Sequence, residues 1–98
     1  MYEIEWSDEA ETDRQSLSVF ARRRVAGAVA DLTHQAEIET RNRKRLRRRL
    51  GALTEAEWNL RIGDLRVLYR IVDGRIVRIL RVIFKGIGTT DDALRRVK

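Results

Sequence analysis

The sequence predicts an α+β domain in which two N-terminal helices pack on a small antiparallel sheet. Three observations carry that prediction. The N-terminus alternates apolar and acidic residues, the next stretch repeats apolar residues every three or four positions, and the second half holds three β-branched runs separated by Gly-Asp and Asp-Gly. With 98 residues and no Cys or Pro, a single domain spanning residues 1–98 is expected, without a disulfide frame or thiolate metal site.

Each element has a local reason. Tyr2, Ile4 and Trp6 alternate with Glu3 and Glu5, the period of a strand with one buried face. Ser7 and Asp8 can accept backbone hydrogen bonds at a helix start, and Glu9, Glu11 and Asp13 suit the positive end of the helix dipole. A second helix is expected between Leu17 and Gln35, where Ala21, Val25, Ala28, Val29 and Leu32 share one side. Gly27 lies inside it, at ~1 kcal/mol relative to Ala, and close packing is the expected reason. The polar stretch from Ile38 to Leu46 reads as a loop leading to a short edge strand. Thr54-Glu55-Ala56-Glu57 has the form of a capping box, but no helical periodicity follows it. Trp58, Leu60 and Ile62, then Val67, Tyr69 and Ile71, then the run Ile76 to Phe84 form a three-stranded meander. Its turns fall at Gly63-Asp64 and Asp73-Gly74. Asp91 to Lys98 can add a final helical turn or two, with Thr90 as cap.

The charge of +6 is unevenly placed. Residues 1–40 carry nine acids and four bases, net −5, whereas residues 41–98 carry seventeen bases and six acids, net +11. Seven of those cations fall in residues 41–50, and the neighbours Arg47, Arg48 and Arg49 repel one another unless they face negative charge. A polyanionic partner is expected for this half.

The alternation also assigns faces. With Trp58, Leu60, Ile62, Val67, Tyr69 and Ile71 turned to the helices, Asn59, Arg61, Arg66 and Arg70 project from the other side of adjacent strands. A face rich in guanidiniums suits phosphate, because Arg offers a planar fork of donors and stays charged. Trp6, Trp58 and Tyr69 are in phase with aliphatic neighbours and are expected in the core; Phe84, in an Ile-Val-rich strand, is expected to be buried, with stacking on a base at the edge of the basic face as its alternative, and His34 ends the second helix as a surface or C-cap residue.

The order strand, two helices, basic meander, together with the string Trp58-Asn59-Leu60-Arg61-Ile62-Gly63-Asp64-Leu65-Arg66-Val67-Leu68-Tyr69, resembles the RelE/ParE superfamily of type II toxin–antitoxin toxins. The lead-in from Thr40 to Leu46 is similar to that of many members, and the resemblance covers nearly the whole chain. It implies a RelE-like fold and a cognate antitoxin with an acidic or amphipathic C-terminal segment that covers the basic surface. RelE-like members enter the ribosomal A site and cut messenger RNA. ParE-like members inhibit DNA gyrase and are not nucleases, so the fold alone cannot choose.

Metal-free RNA cleavage needs a group to take the 2′-hydroxyl proton, one to protonate the leaving 5′ oxygen, and cations for the phosphate. By the resemblance, Arg66 falls on the family's strand arginine, Arg61 on a basic position of the preceding strand, and Lys85 on the basic residue ending the last strand. Asn59 stands where some members have another base. Arg61, Arg66 and Lys85 are therefore the expected catalytic residues, with Lys85 in proton transfer aided by the neighbouring cations Arg61 or Arg81. Lys44, Arg45, Arg47, Arg48, Asn59, Arg70 and Arg81 are expected to bind ribosomal or messenger RNA. The sequence departs from the family pattern after Lys85, where neither His nor Tyr follows. Ribosome-dependent messenger RNA cleavage leads. A gyrase inhibitor, or a degenerate toxin acting mainly as an antitoxin-binding module, stands beside it. No cofactor, metal or membrane partner is expected, and the expected location is the cytoplasm.

Overall fold

The computed structural model describes residues 1–47, 53 and 55–85. In chain order the elements are β1 (Glu3–Trp6), α1 (Asp8–Gln15), α2 (Val19–Gln35), β2 (Arg43–Arg45), β3 (Trp58–Ile62), β4 (Leu65–Val72) and β5 (Ile76–Phe84). They form one five-stranded sheet in the order β1-β5-β4-β3-β2, with the helices on one face.

Both helices start on a serine. The Ser7 hydroxyl accepts from the Ala10 N–H at 3.1 Å and the Ser18 hydroxyl from the Ala21 N–H at 3.1 Å, each satisfying a donor that the first helical turn leaves open. On α2, Val25, Val29 and Leu32 are the buried stripe, and they pack with Leu60, Val67, Tyr69, Val77 and Ile79 of the sheet. Tyr69 is fully buried, stacks on Trp58 with ring centroids 6.0 Å apart, and donates its hydroxyl to the Ala36 carbonyl at 2.6 Å. Arg43 meets the same helix end. It is only 5% exposed, and its Nη1 donates to the carbonyls of Gln35 at 3.1 Å and Ile38 at 3.2 Å. Tyr69 and Arg43 thus close the C-terminal carbonyls of α2. Gly27 has nothing within 4 Å of the position a Cβ would take, so close packing does not account for it.

The expected meander is present, with β3, β4 and β5 in antiparallel register and β2 as the short edge strand on β3. One expectation changes. β1 pairs with β5 in parallel, Glu3 to Trp6 against Ile76 to Ile79, so the sheet is mixed rather than wholly antiparallel. β1 ends at Trp6 while β5 runs on to Phe84, which leaves part of the β5 edge without a strand partner. α1 supplies one there: Asp13 Oδ2 accepts from the Val82 N–H at 2.9 Å. No described helix is long and apolar enough to cross a membrane.

A bulge interrupts β5. Leu68 pairs with Arg81 but Tyr69 pairs with Ile79, so Leu80 is an extra residue that breaks the alternation and redirects the side chains beyond it. The expected final turn at 91–98 and Thr54 lie outside the described residues.

Candidate nucleic-acid interface

The β3–β4 hairpin turns on two residues, with Gly63 first at φ 57°. Glycine reaches that left-handed conformation without a Cβ penalty, and the right-handed twist of the flanking strands favours it there. The register then sets Arg61 directly opposite Arg66. The two guanidiniums are not equivalent. Arg61 is exposed, whereas Arg66 is 7% exposed and its Nη1 donates to the carbonyls of Gly63 at 2.7 Å and Leu65 at 2.8 Å. Burial, reinforced by the charge of Arg61 and opposed by that of Asp64, lowers the Arg66 pKa from the ordinary arginine value. Arginine stays protonated all the same, so this desolvation strengthens its attraction to any anion that arrives.

Two further basic residues meet the same turn, Lys85 through its backbone and Arg24 through its guanidinium. The Lys85 N–H donates to the Asp64 carbonyl at 2.9 Å, which brings the end of β5 against the hairpin. From α2, the Arg24 guanidinium lies so close that a Cβ on Gly63 would sit 3.1 Å from its Nη2 and 3.2 Å from its Nη1. The backbone of Lys85 therefore lies beside the turn that Arg61 and Arg66 flank, and the Arg24 guanidinium reaches the same turn. Sequence reading passed over Arg24 because it belongs to the acidic half of the chain. Its signal is Phe20 one turn earlier, an aromatic off the apolar stripe of α2, over whose ring the Arg24 guanidinium sits at 5.9 Å.

Phe84 corrects another expectation, since it is 64% exposed at the end of β5, opposite Leu65, where no helix covers the sheet. The other predicted RNA-binding residues are dispersed. Lys44 and Arg45 stand exposed on the edge strand β2, with Arg45 over the Trp58 ring at 5.8 Å, and exposed Arg47 approaches Glu39 at 4.0 Å. Asn59 pairs with Lys44, and its Oδ1 is buried without a hydrogen-bond partner. Arg70 lies half-buried opposite Arg78, which Glu5 holds at 2.9 Å. Arg48 lies outside the described residues.

Arg81 is corrected outright. Asp13 accepts from the Arg81 Nε at 2.7 Å and Nη2 at 3.0 Å, so Arg81 is not an open phosphate ligand. Asp13 raises the Arg81 pKa, fixing its charge in this pair. The face opposite the helices also differs from the bare basic surface expected. Its middle is apolar, because Leu68, Leu80 and Ile83 are buried there with Ala56 and packed by Leu46 and Leu53 from the β2–β3 connection. Glu57 Oε1 accepts from the Ile71 N–H at 3.0 Å. Open positive charge is thus concentrated at the hairpin tip and along β2.

The family model of the ParE toxin of type II toxin-antitoxin system, parDE, matches residues 4–84. The chain belongs to this family, within the RelE/ParE superfamily. The toxin is similar to the RelBE2 toxin–antitoxin complex of Mycobacterium tuberculosis, at 32% identity over 83% of this chain and 94% of that one, with a TM-score of 0.65. Its fold matches the archaeal RelE–RelB complex of Pyrococcus horikoshii OT3, at 21% identity over 89% and 98% of the two chains, TM-score 0.68. It also matches the isolated RelE toxin of E. coli, at 14% identity over 100% of both, TM-score 0.64. No curated protein matches the chain in sequence. The expected RelE-like fold is the fold observed.

Proposed function

We propose that the toxin arrests translation by ribosome-dependent cleavage of messenger RNA at the β3–β4 hairpin tip. The observation that supports this reading is the convergence of Arg61, Arg66 and Lys85 on one two-residue turn. In cleavage, the 2′ hydroxyl gives its proton to solvent water and its oxygen bonds to phosphorus as the bond to the 5′ oxygen breaks. The charge that builds on the phosphate is met by the fork of Arg61 and by Arg66, oriented by its two carbonyl bonds. Neither arginine moves a proton. Lys85 is the one side chain of the three that does, and as an ammonium it protonates the leaving 5′ oxygen. Lys44 and Arg45 on β2, with Arg47 just beyond it, hold ribosomal RNA backbone, so ribosome affinity falls steeply with salt.

Several solved relatives are complexes with RelB or YefM antitoxins, which supports a cognate antitoxin for this toxin, acting with it in the cytoplasm. A second reading, a non-nucleolytic inhibitor of DNA gyrase, is favoured by the ParE family model and by the lack of His or Tyr after Lys85. Purified toxin added to a translating extract separates them. Codon-phased cuts in messenger RNA that vanish in Arg66→Gln support cleavage. Intact messenger RNA with blocked DNA supercoiling replaces it with the gyrase reading.

A further inference from the structure

The Arg24–Phe20 pair on α2 stands apart from both the core and the ion pairs of the molecule. Phe20 is 72% exposed, and Arg24 is exposed as well. Among the described residues no carboxylate lies in salt-bridge range of Arg24, whereas Arg14, Arg47, Arg78 and Arg81 each have one. An arginine side chain carries about 2 kcal/mol of rotamer entropy, so an unpaired one on a helix surface is expected to sample solvent. Here it is laid over the Phe20 ring at 5.9 Å and against Gly63. The glycine has a double requirement: its φ of 57°, and the lack of a Cβ, which would meet the Arg24 guanidinium at 3.1 Å. On the other side of the same residue, the Gly63 carbonyl accepts from Arg66 at 2.7 Å. Two guanidiniums thus flank one glycine, with Arg61 opposite Arg66 and only the Asp64 carboxylate in the turn itself. Gathering like charges raises the free energy unless an anion joins them.

We infer that Arg24, held by Phe20, is a third arm of the anion site and binds a phosphodiester of single-stranded RNA next to the one gripped by Arg61 and Arg66. This rests on the RNA reading proposed above. Arg24 binds and positions, and it takes no part in bond breaking. The α2 helix thereby becomes part of the substrate surface, and the strand follows the hairpin tip from the sheet side to the helix side.

The test is binding of a fluorescent, 2′-O-methylated single-stranded RNA 12-mer to the purified full-length toxin between 50 and 200 mM salt. Each phosphate neutralised on a single strand contributes about 0.7 to the slope of log affinity against log salt. Arg24→Gln is expected to lower the slope by about 0.7 and the affinity severalfold, with an unchanged thermal midpoint, while Arg24→Lys keeps the slope. A wild-type slope in Arg24→Gln, with the slope lowered in Arg61→Gln and Arg66→Gln, overturns the role of Arg24 and leaves the RNA reading standing. A slope unchanged in all three variants overturns the RNA reading and the inference with it.

Discussion

Asp13→Ala is expected to be among the most damaging substitutions in the protein, although Asp13 lies in a short, polar helix. Its carboxylate makes three hydrogen bonds, two from Arg81 at 2.7 and 3.0 Å and one from the Val82 N–H at 2.9 Å. Both charged side chains are largely covered, at 14% exposure for Asp13 and 18% for Arg81. A hydrogen bond to a charged group contributes about 1.5–3 kcal/mol net, and removing one partner of a covered pair strands the other. The truncation leaves Arg81 unpaired and the β5 edge with an open donor, so the expected loss is about 3 kcal/mol. For a domain of this size that corresponds to a fall of about 12–24 °C in thermal midpoint. Urea unfolding followed by circular dichroism reads it. Adding Arg81→Leu removes the stranded charge, so the double variant should lose no more than Asp13→Ala alone. A loss under about 0.5 kcal/mol, or full additivity of the two changes, refutes the assignment of Arg81 to the structure rather than to the RNA surface.

Tyr69→Phe removes the bond to the Ala36 carbonyl and should cost about 1–2 kcal/mol in urea unfolding without altering RNA affinity. Burial pushes the Tyr69 hydroxyl pKa well up, so its neutral form is favoured by folding. The stability this contributes is full below the unfolded tyrosine value of about 10 and declines as pH rises beyond it. Unfolding measured at pH 9 and pH 11 should therefore show a smaller alkaline loss in Tyr69→Phe than in the wild type. Arg43→Met keeps the stem but leaves the Gln35 and Ile38 carbonyls open, at about 2 kcal/mol, and its RNA salt slope should equal that of the wild type.

The helices and hairpins were legible because they are local. Ser7 with its acidic first turn, the spacing from Val25 to Leu32, and the glycine turns each specify their own conformation over a few residues. The direction of β1 was not, since alternation in Tyr2 to Trp6 states which face is buried but not which strand lies beside it. Arg81 misled for a related reason: in the basic half of the chain it reads as open charge, while the carboxylate that holds it, Asp13, lies 68 residues away in sequence. Arg43 sat within a run of seven cations that reads as surface, yet the open carbonyls of α2 lie far enough off in sequence to hide its burial. The apolar middle of the outer sheet face did leave a trace. Leu68, Leu80 and Ile83 are apolar where a single-sided strand needs polar residues, which marks burial on both faces.

The central claim is that Arg61 and Arg66 grip RNA phosphate at the hairpin tip while Arg78 and Arg81, held by Glu5 and Asp13, do not. Its most direct measurement is the proton–nitrogen spectrum of the arginine Nε–H groups as a 2′-O-methylated RNA trinucleotide is titrated into the toxin. The Arg61 and Arg66 signals should move first and saturate together, with those of Arg78 and Arg81 still in place under Glu5 and Asp13. Movement at Arg78 and Arg81 with Arg61 and Arg66 unchanged contradicts the account.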